Sequence, residues 1–183
     1  MKLRTFALSA LGLLFMINPS WSQEQEENEA FKHLIKTNPF ATSVGLINTT
    51  YEMRASEKSS LLFRLDFMLG DFFDLTNGIG GGIGYRYYFT FKKRMVPEGF
   101  YIQPLVYGFL SLEEAEDDFY EYEAEDFGLV GFQLGYQWIW NSGFSVDLGI
   151  GPGYRFPEDE YSDFSTINPV FSAMIGYAWN SEK

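Results

Sequence analysis

In five runs between residue 61 and residue 179 the chain alternates between large apolar side chains and residues that are mostly glycine or polar. Leu61, Phe63, Leu65, Phe67 and Leu69 are separated by residues that include Arg64 and Asp66. Ile79, Ile83, Tyr85, Tyr87, Phe89 and Phe91 have Gly80, Gly82, Gly84, Arg86, Tyr88 and Thr90 between them. Val130, Phe132, Leu134, Tyr136, Trp138 and Trp140 alternate with Gly131, Gln133, Gly135, Gln137 and Ile139. Phe144, Val146, Leu148, Ile150, Tyr154 and Phe156 alternate with Ser145, Asp147, Gly149, Gly151, Gly153 and Arg155, and a last run ends on Ile175, Tyr177 and Trp179. Successive side chains on a strand point to opposite faces, so a period of two specifies strands with two unlike faces and excludes helices.

The punctuation counts the strands. Short connections at 55–59, 92–98 and 141–143 alternate with long acidic ones at 71–77, 113–126 and 157–164, as in an up-and-down meander whose two ends differ. Carrying the alternation back to the start makes residues 33–54 two strands, about 33–43 and 46–54. The others are about 59–70, 78–91, 99–112, 127–140, 143–156 and 165–179, eight in all. The expected fold is all-β, an eight-stranded antiparallel up-and-down transmembrane β-barrel occupying residues 33–183.

Composition removes other classes. The 183 residues contain no cysteine, which excludes a disulfide framework, a thiolate metal site and a lipidated N-terminal cysteine. The net charge of −12 excludes nucleic acid as a partner, because phosphate binding needs clustered Lys and Arg. Lys2 and Arg4, the apolar stretch 5–17 and Ser20-Trp21-Ser22 read as a secretory signal peptide over residues 1–22. An apolar run this short falls below the roughly 20 residues of a membrane-crossing helix. An acidic periplasmic leader, residues 23–32, follows it.

Alternation does not say which face is inside. A soluble barrel of lipocalin type would turn the apolar rows inward and need a charged exterior. The opposite rows here are Gly, Ser, Thr and Gln with few charges, a poor soluble surface, whereas aromatic rows would overfill a lumen just wide enough for side chains. The apolar rows are therefore expected to face lipid. Tyr87, Phe89, Phe91, Phe100, Tyr136, Trp138, Trp140, Phe144, Tyr177 and Trp179 all lie beside the short turns or the C-terminus and would make one girdle. Short turns and both termini would then be periplasmic. The three long loops, with 15 acidic residues and no basic one, would face outward from the outer membrane of a Gram-negative bacterium.

Inward positions carry Glu52, Asp66 and Asp147 against Arg64, Arg86 and Arg155. Three acids balance three arginines, as burial demands, and together they read as an ionic core that plugs the lumen against solute diffusion. Pro104, Pro152 and Pro169 fall inside strand patterns and are expected at bulges or near strand ends. For strand 99–112 the phase that turns Phe100, Ile102, Val106 and Leu110 to lipid is preferred, because it points Gln103 inward.

With these pieces assembled, the chain resembles small bacterial outer-membrane barrels of the OmpA, OmpX and OmpW type, and more closely an uncharacterised barrel family common in Bacteroidota. The resemblance is carried by Lys36-Thr37-Asn38-Pro39, Tyr51-Glu52, Gly84-Tyr85-Arg86-Tyr87-Tyr88-Phe89, Gly99-Phe100-Tyr101, Leu134-Gly135-Tyr136-Gln137-Trp138 and Gly149-Ile150-Gly151-Pro152-Gly153-Tyr154. It implies the outer membrane and the eight-stranded barrel, and no established activity.

Candidate chemistry is sparse. His33 is the single histidine, beside which the His and Ser pairing of lipid A deacylase barrels is missing, and a surface histidine is the plainer reading. The glycine run 78–84 fits no offset of G-x-G-x-x-G and opens a strand rather than a helix. The acidic loop 113–126 offers Glu116, Asp117, Asp118 and Glu121 as weak ligands for a divalent cation, or a docking surface for a basic partner, but it has no glycine and no EF-hand spacing. A solvated, self-repelling loop outweighs both. The expected function is a non-enzymatic, cofactor-free, monomeric barrel with a structural or surface-interaction role in outer-membrane lipid. The alternatives are a lipid-modifying barrel enzyme and a soluble lipocalin-like lipid carrier.

Overall fold

The computed structural model describes residues 31–69, 77–89, 97–112, 126–157 and 167–180. Eight strands are formed: β1 (His33–Thr37), β2 (Leu46–Arg54), β3 (Ser59–Met68), β4 (Gly78–Phe89), β5 (Gly99–Ser111), β6 (Phe127–Ile139), β7 (Phe144–Pro157) and β8 (Ile167–Trp179). Each pairs antiparallel with its neighbour in chain order, and β8 pairs back onto β1 to close the barrel. The all-β, eight-stranded, up-and-down architecture expected from the alternation is the one observed.

Residues 33–54 do form two strands, but the first is shorter than the expected 33–43. It stops at Thr37, and Pro39–Thr42 make one helical turn, α1. The side chain of Asn38 accepts hydrogen bonds from the backbone N–H groups of Phe40 (3.0 Å) and Ala41 (3.1 Å), while Pro39 takes the first helical position. Asn as a cap and Pro directly after it are a helix start, because the proline has no N–H to leave unsatisfied there.

Pro169 lies near the start of β8, as expected, but the other two prolines depart from expectation. Pro104 and Pro152 lie well inside β5 and β7, with no shift of register. The ladders lapse instead: β4 and β5 pair at Gly84 with Leu105 and resume at Tyr87 with Ile102, and β6 and β7 lapse between Gly131–Gly153 and Leu134–Ile150. Each lapse spares the donor that proline lacks, so no bulge is required.

The two faces are sharply distinct. Ile83, Phe100 and Phe171 expose 61%, 57% and 64% of their surface on the outside, whereas Glu52, Asp66 and Asp147 are fully buried in the lumen. In β5, Tyr101 and Gln103 are buried and Phe100, Val106 and Leu110 are exposed, the phase that Gln103 indicated. The outward face of β4 runs from Ile79 to Phe89, ten steps. At roughly 3.4 Å per step and a tilt near 40°, that is a band of about 26 Å, close to the ~25 Å of a membrane barrel's apolar belt. Around the turn end, ring centroids approach across strands, Phe100 to Tyr136 at 4.7 Å and His33 to Trp179 at 5.6 Å, along β6 from Tyr136 to Trp138 at 4.4 Å, and over the β6–β7 turn from Trp140 to Phe144 at 5.4 Å. Phe91 of the expected girdle is outside the described residues.

Glycine on the inner rows makes room for neighbouring rings. A Cβ on Gly135 would overlap the Tyr101 hydroxyl and ring. Gly143, at φ +85°, supplies the left-handed residue in the turn between β6 and β7.

Candidate functional site

The lumen is where this chain gathers its charge, and it is divided along the barrel axis. In the half next to the short turns, Lys36 of β1, Glu52 of β2, Arg86 of β4 and Asp147 of β7 meet from four strands. Lys36 Nζ lies 2.6 Å from Glu52 Oε2 and 2.7 Å from Asp147 Oδ2. Arg86 bridges the same two carboxylates, Nη1 at 3.2 Å from Glu52 Oε2 and Nη2 at 2.7 Å from Asp147 Oδ2. All four side chains are essentially excluded from solvent.

Taking four charges out of water costs several kcal/mol per ion unless every lone pair is matched. Here the matching is dense. The Tyr88 and Ser60 hydroxyls donate to Glu52 Oε1, each at 2.5 Å, and the Tyr101 hydroxyl donates to Asp147 Oδ1 at 2.6 Å. Gln137 Oε1 accepts from Lys36 Nζ (2.8 Å) and Arg86 Nη1 (2.9 Å), and its Nε2 donates to the Pro97 carbonyl at 2.6 Å. Arg86 Nε donates to Gln103 Oε1 at 2.6 Å, and its guanidinium lies 3.8 Å over the Tyr101 ring. Two cations and two anions cancel, and the polar ring around them fills the lumen. This arrangement is suited to structural support: no charge is left over to polarise a substrate.

Of the six residues expected in one ionic core, only Glu52, Arg86 and Asp147 belong to this cluster. Arg64 and Asp66 form a separate pair nearer the long-loop end, Arg64 Nε at 2.8 Å and Nη2 at 2.8 Å from Asp66 Oδ2, with Asn48 Nδ2 donating to Asp66 Oδ1 at 2.7 Å. Arg155 has no carboxylate partner among the described residues; its guanidinium sits 4.0 Å over the Phe127 ring. The fourth member of the central cluster is Lys36, which the sequence reading passed over. The burial of Leu34 and Lys36 on either side of exposed Ile35 shows only in the folded strand, because five residues with an apolar and a charged side chain on one row carry little periodicity.

Nor is the lumen plugged throughout. Between the four-charge cluster and the long-loop rim lies a cavity of about 340 Å³, walled by Leu62, Leu105, Leu129, Val170 and Met174 with Thr50, Gln133 and Ser172 among them. Arg86 and Gln103 make its floor, and Arg64, Asp66 and Phe109 approach its upper end. Phe109 stacks on Phe127 at 5.5 Å there.

His33 is tied into the wall, its Nδ1 2.6 Å from the Tyr51 hydroxyl and its ring stacked on Trp179. Glu116, Asp117, Asp118 and Glu121 lie outside the described residues, as do residues 1–30. Among the described residues no three His, Asp or Glu side chains are grouped to hold a metal ion. No described helix is long and apolar enough to cross a membrane.

A sequence-family profile described as a protein of unknown function, DUF3575, matches residues 11–173. No curated protein and no solved structure matches the chain.

Proposed function

The chain belongs to the DUF3575 family, and from that premise and the two faces of its barrel we propose that it is a non-enzymatic outer-membrane β-barrel with a structural or surface-interaction role. In this reading it is kin to the OmpA, OmpX and OmpW type. It is exported by residues 1–22, keeps its termini in the periplasm and presents its acidic loops to the outside as a monomer in Gram-negative outer-membrane lipid. The observation that carries the reading is the continuous outward coat of Ile, Leu, Phe and Tyr around a lumen that holds the charges. Contiguous apolar surface of this extent is foreign to soluble monomers and fits hydrocarbon.

A lipocalin-like carrier would need the apolar rows turned inward, and the described strands turn them outward. For the lipid-modifying alternative, the one histidine is engaged with Tyr51 and Trp179 in the wall.

The test is heat-modifiable gel mobility of the membrane fraction. The unheated protein should run as a compact band that shifts on boiling. Recovery of the chain as a dissolved monomer without detergent would overturn the proposal.

A further inference from the structure

The cavity above the four-charge cluster does nothing for the support role. Packed interiors rarely keep voids much larger than a water molecule, and this one has room for roughly eleven waters at ~30 Å³ each. At about 340 Å³ it stands at the small end of the ~300–1,000 Å³ typical of ligand sites.

Its lining selects a chemistry. The walls are chiefly aliphatic, from Leu62, Leu105, Leu129, Val170 and Met174. Every charged group on them is already neutralised: Arg64 is bound to Asp66, and Arg86 to Glu52 and Asp147. Arg155 is not part of the wall. An ion entering would stand without a counter-charge in a low-dielectric space, which is strongly unfavourable. A neutral polar group would not. The Thr50 hydroxyl lines the cavity, is 2% exposed, and has no hydrogen-bond partner among the described residues. An unmet buried hydroxyl of this kind calls for a ligand or water to meet it. The amide of Gln133 and the hydroxyl of Ser172 sit on the same walls.

We propose that the upper lumen is a binding site for a small uncharged amphiphile, one with a single hydrogen-bonding head and a short hydrocarbon body. The head is met by Thr50 and its polar neighbours, and the body lies against the Leu, Val and Met walls. The site goes beyond the support role and is independent of any surface interaction by the loops.

Three probes with one tail, 1-octanol, octanoate and octylammonium, separate the alternatives on the full mature chain inserted in lipid nanodiscs and labelled at its methionine methyls. Met68 and Met174 line the cavity, whereas Met53 lies on the outer face of β2 and reports partition into lipid. Octanol should shift the Met68 and Met174 resonances saturably, leave Met53 nearly unmoved, and bind roughly tenfold more tightly than either ion. T50V should weaken octanol about fivefold, the share of one neutral hydrogen bond. V170W should fill the space and abolish the saturable shift; L105F serves the same purpose if V170W loses its heat-modifiable band.

An inserted barrel whose Met174 ignores octanol, or shifts only in step with Met53, overturns the proposal and shows water alone in the cavity. Tighter binding of either ion overturns the uncharged class. Persistence of the shift in a folded filling variant places the ligand elsewhere. Failure to insert at all is a failure of the membrane reading instead.

Discussion

Lys36 sits at the crossing of two carboxylates that share Arg86 with it, and its removal leaves two buried acids facing one cation. K36M is expected to lower stability by about 3–5 kcal/mol, the range for breaking a buried ion pair by deleting one partner. Urea unfolding in detergent would read this as a lower midpoint. Pairing it with D147N restores the balance of one acid and one base, so the double variant should lose clearly less than the sum of the two single losses. A simple sum would mean that the four groups act independently. Residue identity at this level was only partly legible in the sequence. Glu52, Arg86 and Asp147 declared themselves as charges on inward rows, but which carboxylate meets which base depends on shear around the closed sheet. Arg64 and Asp66, two residues apart on one face of β3, pair locally whatever the shear, whereas shear leaves Arg155 over the Phe127 ring.

At the scale of elements, β1 is the weak link and the closing one. Five residues join β2 on one side and β8 on the other, with neither ladder interrupted. The prolines of β5 and β7 are tolerated where a ladder lapses, and Ile35 has no such lapse on either side. I35P should therefore open the seam between β1 and β8 and abolish the heat-modifiable band. N38A removes only the cap of α1, about 1 kcal/mol, and should leave that band in place. If both variants behave alike, the seam is not what holds the cylinder closed. Strands β3 to β8 were legible because each repeats its alternation five or more times. The end of β1 is not legible from strand counting, because the turn count needs a strand through residue 43 while the cap chemistry of Asn38-Pro39 marks a helix start. Gln103 fixed the phase of β5 because a buried amide suits this lumen better than lipid.

For the whole molecule, the proposed orientation gathers negative charge at one mouth. Nine acids between Glu113 and Asp126 should attract divalent cations loosely, through a diffuse field rather than a shaped site. Calorimetry with millimolar Ca²⁺ is expected to record a weak heat for the folded barrel that falls when Glu116, Asp117, Asp118 and Glu121 are changed to their amides. No heat from the unaltered chain removes the idea. The fold as a whole was legible because one period of two, repeated between unlike ends, admits few closures. The hollow in the upper lumen was not, because inner glycines announce narrowness and say nothing of where rings will crowd and where they will leave a gap.

The axial division of that lumen has a further consequence. The four-charge cluster braces the cylinder beside the tight turns, and the opposite half is braced more lightly, by the Arg64–Asp66 pair and the Phe109–Phe127 stack. Foreign peptides grafted onto the far rim, or a lineage rewriting its own rim, would change a surface that the wall does not need in order to stay shut.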